Sequence, residues 1–461
     1  MLVHRSYKHR LRLTPEQEVL CRRFAGCARL VYNSGLEQRS LGYALTGQGM
    51  SYMRQTYFLK EVKADPAFAF LREAPAHVLQ QALRDLDRAY QNFFAGRSRY
   101  PKPRRRGEHD GFRFPDPDPK QIGVHDPARI GQVRLPKLGW VSLRNCWPRL
   151  GERLFEGECK NVSVVREADD WYASFACEVE MADPSTPERG ALGLDAGVSN
   201  SYATSGGERH HLPVLTDSEW AKIGRLQSCV NRRQKGSRNR EKALRRLARY
   251  RHRASRRKHD ELHKLTTRLA KGHALLFAED LRVKNMTASA KGTVQEPGVN
   301  VAQKAGLNRA ILDQCWGEGR RQLSYKCLWY GSGFHIVNAC RSSQECSNCG
   351  HVAAESRESQ AVFRCVACGF ERHADVNAAC NIRERGLAEH RAAQAEAEAS
   401  AAPAASAGGM PVPEGRKTRR ACEGRASSKT PETPGPSRKR REQGTGQPVP
   451  QARAIVTPLG A

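Results

Sequence analysis

The chain has 461 residues, a formal net charge of +29 and an ordinary hydrophobic content of 39%. That length allows two to four domains with cores of their own. No run of eighteen apolar residues occurs, so no membrane-spanning helix is expected. Lys and Arg number 77 against 48 Asp and Glu, an imbalance that points to a polyanionic partner, nucleic acid first. Only 11 Lys/Arg and 4 Asp/Glu lie in residues 400–461, so the body itself is basic. The N-terminus, Met1 to Arg12, is basic but has no apolar h-region and does not read as a signal peptide. The expected location is the cytoplasm. Fifteen cysteines, four of them at paired spacing, indicate a bound metal plus reduced thiols rather than a disulfide framework. Cys21, Cys27, Cys177 and Cys229 are expected to act as small buried hydrophobes.

The segment Tyr7 to Pro15 opens with an alternating pattern that predicts a strand. A helix then starts with Thr14 as N-cap and Pro15 at the first helical position. Helical patterns continue to about residue 96. The clearest is Val78–Phe94, with Leu79, Leu83, Leu86, Tyr90 and Phe93 on one face, and Gly96 ends it. After the basic stretch Tyr100–Arg106, strands are predicted at 112–114, 133–135, 141–143, 162–165 and 171–179, with a hairpin turn at Asp169-Asp170. This pattern suggests a small β-barrel (1–15 and 97–185) closed by the N-terminal strand, with the helices of 16–96 inserted into it.

A second unit begins near residue 190. Ala191–Val198 predicts a strand and Ser201–Ser205 its hairpin partner. A helical region, 217–271, carries 19 basic and 5 acidic residues, with Leu244, Leu247, Leu262, Leu265 and Leu269 as its apolar stripe. Further expectations are a strand at 273–280, one helix over 307–329 and a strand at 334–339. Residues 396–461, Ala-rich and then rich in Pro, Gly, Ser and Arg, read as a disordered basic tail.

Two constellations carry chemistry. Cys346-Ser-Asn-Cys349-Gly350 and Cys365-Val-Ala-Cys368-Gly369 are paired knuckles. Each turn puts two thiolates on one side of a tight loop, and four thiolates suit tetrahedral zinc. The glycine after each pair fits the positive-φ residue that such a knuckle needs. A zinc ribbon is the expectation. The second constellation is acidic: Asp195 and Glu279 each end an apolar strand, and Asp375 begins a helix just after the ribbon. Buried carboxylates are costly without a cation, and converging ones repel unless a divalent metal lies between them. Mg²⁺ suits an all-oxygen site, and two such ions are the equipment of phosphodiester hydrolysis.

Gly193-Leu-Asp-Ala-Gly-Val198, Ala278–Met286, Cys346–Gly350 and Asp375-Val-Asn-Ala-Ala379 together resemble the TnpB proteins of bacterial insertion sequences. They also resemble the compact type V CRISPR effectors of the Cas12 group. Cys27–Asn33 and the stretch 79–106 are similar to that family too. The resemblance implies an α+β multidomain chain. A wedge β-barrel (1–15 and 97–185) would carry an inserted helical recognition domain (16–96). A RuvC-like nuclease of RNase H fold (186–340 and 370–395) would follow, with the zinc ribbon (341–369) set into it. It implies cleavage of target DNA directed by a guide RNA, with Asp195, Glu279 and Asp375 as metal-binding catalytic acids. It also implies that a short motif flanking the target is read near Tyr52, Gln80 and Gln81. Two positions depart from the family's habit: Ala196, where a larger apolar residue is common, and Ala374, where Arg is frequent.

An RNA-guided enzyme must grip phosphates. The candidates are Lys8 and Arg10, which alternate with Arg12 on one face of the first strand, then Lys102 with Arg104, Arg105 and Arg106, and Arg232 and Arg233 with their basic neighbours. The competing reading is a guided DNA-binding repressor with a silent nuclease. The presence of all three acids argues against it. A DNA-strand transposase is disfavoured because no His-hydrophobic-His plus Tyr set occurs.

Overall fold

The computed structural model describes residues 1–401 except 116, 118–121, 125–130, 145–154, 294 and 339. The tail from 402 onward, including most of the segment expected to be disordered, lies outside the described residues. No described helix is long and apolar enough to cross a membrane.

The chain opens with β1 (Leu2–Arg12) and α1 (Pro15–Thr46). Thr14 caps α1 as expected, and Gln17 completes a reciprocal capping box with it. Next come α2 (Tyr52–Ala64) and α3 (Ala76–Phe94). The predicted face of α3 is the buried one: Leu79, Leu83, Leu86 and Tyr90 are all in the core, and Gly96 follows at φ +68°. Then come β2 (Gly111–Pro115), β3 (Ile122–Val124), β4 (Gly131–Leu135), β5 (Gly139–Leu143), β6 (Glu158–Glu167) and β7 (Asp170–Glu180). The β6–β7 turn is Ala168-Asp169, with Ala168 at φ +54°, so Asp170 already belongs to the strand.

These seven strands form one sheet in the order β2-β6-β7-β1-β5-β4-β3. β1 is its hinge. Residues 2–10 pair antiparallel with β7, while Leu11 and Arg12 pair with β5. The N-terminal strand therefore lies in the middle of a half-barrel rather than at a seam, and no pairing joins β2 to β3 among the described residues. The half-barrel's core includes Val133, Val141, Val162, Val164 and Phe175, all fully buried. Phe24 of α1 meets Phe112 edge-on at 5.6 Å between ring centroids.

The second unit is built on β8 (Ala191–Asp195), β9 (Tyr202–Thr204), β10 (Arg209–His210), β11 (Leu275–Glu279) and β12 (Gly333–Val337). The sheet order is β10-β9-β8-β11-β12. β8, β11 and β12 run parallel, and β9 and β10 complete an antiparallel meander from β8. The basic region between β10 and β11 is a helical pair, α4 (Asp217–Asn231) and α5 (Arg238–Gly272). Leu247, Leu262, Leu265 and Leu269 form its buried stripe, but Leu244 is exposed and Ala243 takes the inward position. A short α6 (Val283–Met286) follows.

The single helix expected over 307–329 is two helices, α7 (Val301–Asp313) and α8 (Trp316–Tyr330), broken at Cys315 with φ +56°. The break turns Gln314 inward, where it accepts from the Ser201 hydroxyl at 2.6 Å and donates to the Val198 carbonyl at 3.1 Å. It also brings Gly319 so close to Tyr202 that a Cβ would lie 2.0 Å from the phenol oxygen. The ribbon hairpin, β13 (Val362–Arg364) with β14 (Glu371–His373), leads directly into α9 (Ala374–Ala401). α9 crosses the face of the five-stranded sheet, against β8, β9, β11 and β12.

Candidate active site and metal centre

β8 and β11 are parallel neighbours with Leu194 opposite Ala278, so Asp195 and Glu279 end adjacent strands at the same edge. The third acid arrives from above. Asp375 is in the first turn of α9, and α9 can come down on β8 because residue 193 is a glycine. A Cβ there would stand 2.0 Å from the Ala379 carbonyl and 2.8 Å from the Arg383 amide. Gly193 thus belongs to the site as a spacer, two residues ahead of the acid it helps to position.

Asp195 and Glu279 interact most strongly, and Asp375 adds a smaller charge effect on Asp195. The Asp195 carboxyl is held well above the usual aspartate range, first by burial, then by the charge of Glu279, to which it is hydrogen-bonded, and by that of Asp375. Burial also raises Glu279, with hydrogen bonds from Asp195 and from Ser342 (3.4 Å) working the other way. Asp375 is 8% exposed. Its Oδ2 accepts from Asn200 Nδ2 at 2.6 Å, and its Oδ1 lies 3.6 Å from the Arg357 guanidinium of the ribbon. Converging carboxylates, Asp195 and Glu279 both raised by burial, with one guanidinium beside Asp375 among the described residues, are the donor chemistry of a hard divalent ion. Asn200, Ser342 and Arg357 do not stand out in the sequence. They act from 175, 63 and 18 residues away in the chain, and only the folded register brings them in.

The four cysteines form a tighter group. All four sulfurs lie within 4.8 Å of one another, with Cys346 to Cys368 at 3.8 Å and Cys349 to Cys365 at 3.6 Å. A tetrahedron of Zn–S bonds of about 2.3 Å has sulfur–sulfur edges of about 3.8 Å, so the set fits zinc. The knuckles are alike. Gly350 (φ +75°) and Gly369 (φ +73°) follow each pair, and their N–H groups return to the Cys346 and Cys365 carbonyls at 2.8 and 2.9 Å. The Cys368 backbone N–H draws the Cys365 thiol down to about 6 while the neighbouring cysteines push Cys349 up to about 12, so the thiols titrate as one linked set whose ligating thiolates form as metal binds. Every other described cysteine is also free. Cys21, Cys27 and Cys177 are buried and Cys229 is half-buried.

The ribbon is tied to α9 by buried amides. Asn377 accepts from the Ser347 N–H at 2.9 Å and donates to the Glu345 carbonyl at 2.7 Å. Asn381 donates to the Ser342 and Glu345 carbonyls, and Arg385 pairs with Glu345. Ala374 is completely buried beside Phe363, Cys346 and Cys365. A small residue is what that position can hold.

The basic candidates fare differently from one another. Lys8 pairs with Glu167 and lies 4.9 Å above the Tyr172 ring, and Arg10 pairs with Asp170. Tyr52 is partly packed and accepts from Arg84 Nε at 3.2 Å. Gln80 is exposed, while Gln81 is 7% exposed and accepts from Arg113 at 2.9 Å. Arg104 stacks 4.0 Å from the Tyr32 ring centroid and reaches Asp85 at 3.2 Å. Arg105, Arg106 and Arg232 are exposed. Arg233 donates to the Asn239 carbonyl at 3.4 Å.

This architecture is a carboxylate-centred mixed sheet with a four-cysteine ribbon set beside its third acid. Known proteins are similar to the chain in sequence. Family models match residues 1–48 ("Helix-turn-helix domain"), 174–290 ("Probable transposase") and 316–382 ("Cas12f1-like, TNB domain"). Residues 1–48 here form one strand and one long helix rather than a helix–turn–helix. The chain is 40% identical over 383 residues to "Putative RNA-guided DNA endonuclease InsQ" of Escherichia coli K12, covering 83% of this chain and 92% of that one. It is 36% identical over 395 residues to "Putative RNA-guided DNA endonuclease" of Streptomyces pristinaespiralis, covering 84% and 90%. Among solved structures, a chain of the Cas12f1–sgRNA–target DNA complex aligns over 83% of this chain and 99% of its own, with a TM-score of 0.47 and 13% identity. The chain belongs to the TnpB family.

Proposed function

We propose that the protein is an RNA-guided DNA endonuclease. It binds a guide RNA, recognises a short motif flanking its target and cleaves DNA at the Asp195, Glu279 and Asp375 cluster. The observation that carries the reading is the convergence of these carboxylates from β8, β11 and α9 at one sheet edge, where Asp195 cannot readily ionise without a cation. The strand order supports a RuvC-type site on an RNase H-like sheet: an antiparallel meander of three strands followed by two parallel ones. The close relatives bear the same activity in their names.

The three acids would hold two Mg²⁺ ions, which when bound supply charge for the attacking water and for the leaving oxygen. The protein's own part is placement. Asn200 fixes Asp375, Ser342 fixes Glu279, and Gly193 sets how closely α9 approaches. The ribbon, with zinc on Cys346, Cys349, Cys365 and Cys368, braces the entry to α9. The half-barrel would serve as the wedge, closing as a barrel in the complex, and α1–α3 as the recognition domain. Tyr52, Gln80 and Gln81 would lie near the flanking motif. Lys8, Arg10, Arg104–Arg106, Arg232 and Arg233 would lie along the phosphate path. The protein would act on its DNA targets in the cytoplasm, at the nucleoid.

The test is cleavage of a guided target by the full chain with its RNA. Asp195→Ala and Glu279→Ala are expected to abolish cutting while RNA and target binding persist, and chelation of Mg²⁺ should do the same reversibly. Full cleavage by either variant would sink the assignment.

A further inference from the structure

Between α1, the loop 106–110 and the β6–β7 hairpin lies a cavity of about 160 Å³, lined by Arg22, Arg29, Arg106, Arg166, Asp110 and Trp171. Four guanidiniums face one carboxylate, and that carboxylate is engaged. Asp110 Oδ1 accepts from Arg29 at 2.7 Å and from the Gly107 N–H at 3.2 Å, and Oδ2 lies 3.8 Å from Arg166. Arg22 is held by Glu18. Arg166 also faces Asp169 at 3.7 Å, but Arg249 claims that acid at 2.6 Å. Arg106 has no ion-pair partner among the described residues. Burial and the charge of Arg22 hold the Arg166 pKa below the ordinary arginine value.

An independent observation concerns the neutral donors. Trp171 is 3% exposed. Its indole N–H and the Nε–H of Arg166 are both buried with no acceptor among the described residues. Buried N–H groups normally have partners. Positive charge in excess of negative around one concavity, with two buried N–H groups in the side chains of its wall lacking acceptors among the described residues, is the chemistry of an oxyanion receptor. The guanidinium fork favours tetrahedral phosphate and binds it in pairs. At roughly 30 Å³ per water, the cavity has room for such a group with some of its hydration.

The geometry points to this cavity as a receptor for one backbone phosphate of a bound polynucleotide, charged by Arg22, Arg29, Arg106 and Arg166, with the buried Trp171 N–H turning to donate to it when the phosphate seats. It rests on the nucleic-acid reading above and adds a specific site to it. The ligand chemistry is the same whether the phosphate belongs to guide RNA or to target DNA.

The test uses the full chain carrying Asp195→Ala, with guide RNA binding and target DNA binding measured as separate arms over a salt series. Arg106→Gln should weaken one arm and lower its salt slope by about 0.7–0.9, the loss of one phosphate contact. Trp171→Phe keeps the ring but loses the neutral donor. It should weaken the same arm about five-fold, leaving the slope alone. The arm affected names the strand. Wild-type affinity and slope for both variants in both arms would overturn the site while leaving nucleic-acid binding intact. If the parent bound neither RNA nor DNA, the proposed function itself would fail. The site would then be judged by melting with inorganic phosphate against chloride at fixed ionic strength. A phosphate-specific rise lost in Trp171→Phe supports it, and an equal rise in parent and variant overturns it.

Discussion

On β1, on β2 and between α1 and α3, charges are matched within the protein, the cavity beside Trp171 being the exception in this unit. Lys8 meets Glu167, Arg10 meets Asp170, Arg113 meets Asp85 and Arg39 meets Asp87. At the edge of the five-stranded sheet, three carboxylates converge and, among the described residues, a single guanidinium lies 3.6 Å from one of them. The first arrangement is self-sufficient: each ion pair lowers the cost of its own burial. The second is stable only to the extent that protons or cations come from outside. Both sheets belong to one basic chain, and its net charge of +29 does not separate them. Uncompensated charge does, and the cavity beside Trp171 is its cationic counterpart.

The largest test of this contrast is the ribbon. Cys349→Ser removes one of four sulfurs that lie within 4.8 Å, and structural zinc sites of this kind contribute on the order of 10 kcal/mol of apparent folding energy. Bound zinc should fall from one per chain to near zero. Melting temperature and cleavage should fall together, because β14 runs straight into α9. Normal cutting by a zinc-free variant would make the ribbon an appendage of the acid site rather than its brace.

Gly193→Ala comes next. The new methyl would collide with the Ala379 carbonyl at 2.0 Å, backbone against backbone, with no flexible end to yield. A cost of about 3 kcal/mol is expected, read by denaturant unfolding, and cleavage should drop because Asp375 rides on the displaced helix. Unchanged stability would mean that α9 does not sit this closely on β8.

Arg357→Gln probes the one cation at the acids among the described residues. Cleavage should fall about 10²-fold, the usual loss when one charged donor leaves a reacting centre, with stability and target binding retained. Wild-type rates would show that the guanidinium only neutralises Asp375 in the absence of metal.

Much of this site is legible in the sequence because it depends on local patterns. A short apolar strand ending in Asp195 or Glu279 and the duplicated Cys-x-x-Cys-Gly need no distant partner to be recognised. The break at Gln314-Cys315 is different. Nothing local demands it: no proline is present, and the cause is a buried hydrogen bond to Ser201, 113 residues away, plus the fit of Gly319 against Tyr202. Asn200, Asn377 and Arg357 are hidden for the same reason. The half-barrel's open order likewise follows from β1 dividing its two edges between β7 and β5, a matter of register rather than of pattern.

The smallest effect should come from the matched side. Lys8 and Arg10 alternate on β1 as phosphate contacts would, yet both are bound by carboxylates of the β6–β7 hairpin. To reach a phosphate, each must first leave its acid, so the net gain is the difference between two ion pairs. Lys8→Gln with Arg10→Gln should weaken guide RNA binding by two- to three-fold, less than Arg106→Gln alone, and change stability by under about 1 kcal/mol. A larger loss of affinity would mean that the hairpin acids yield on RNA binding, and that charge matching in the free protein conceals part of the phosphate path.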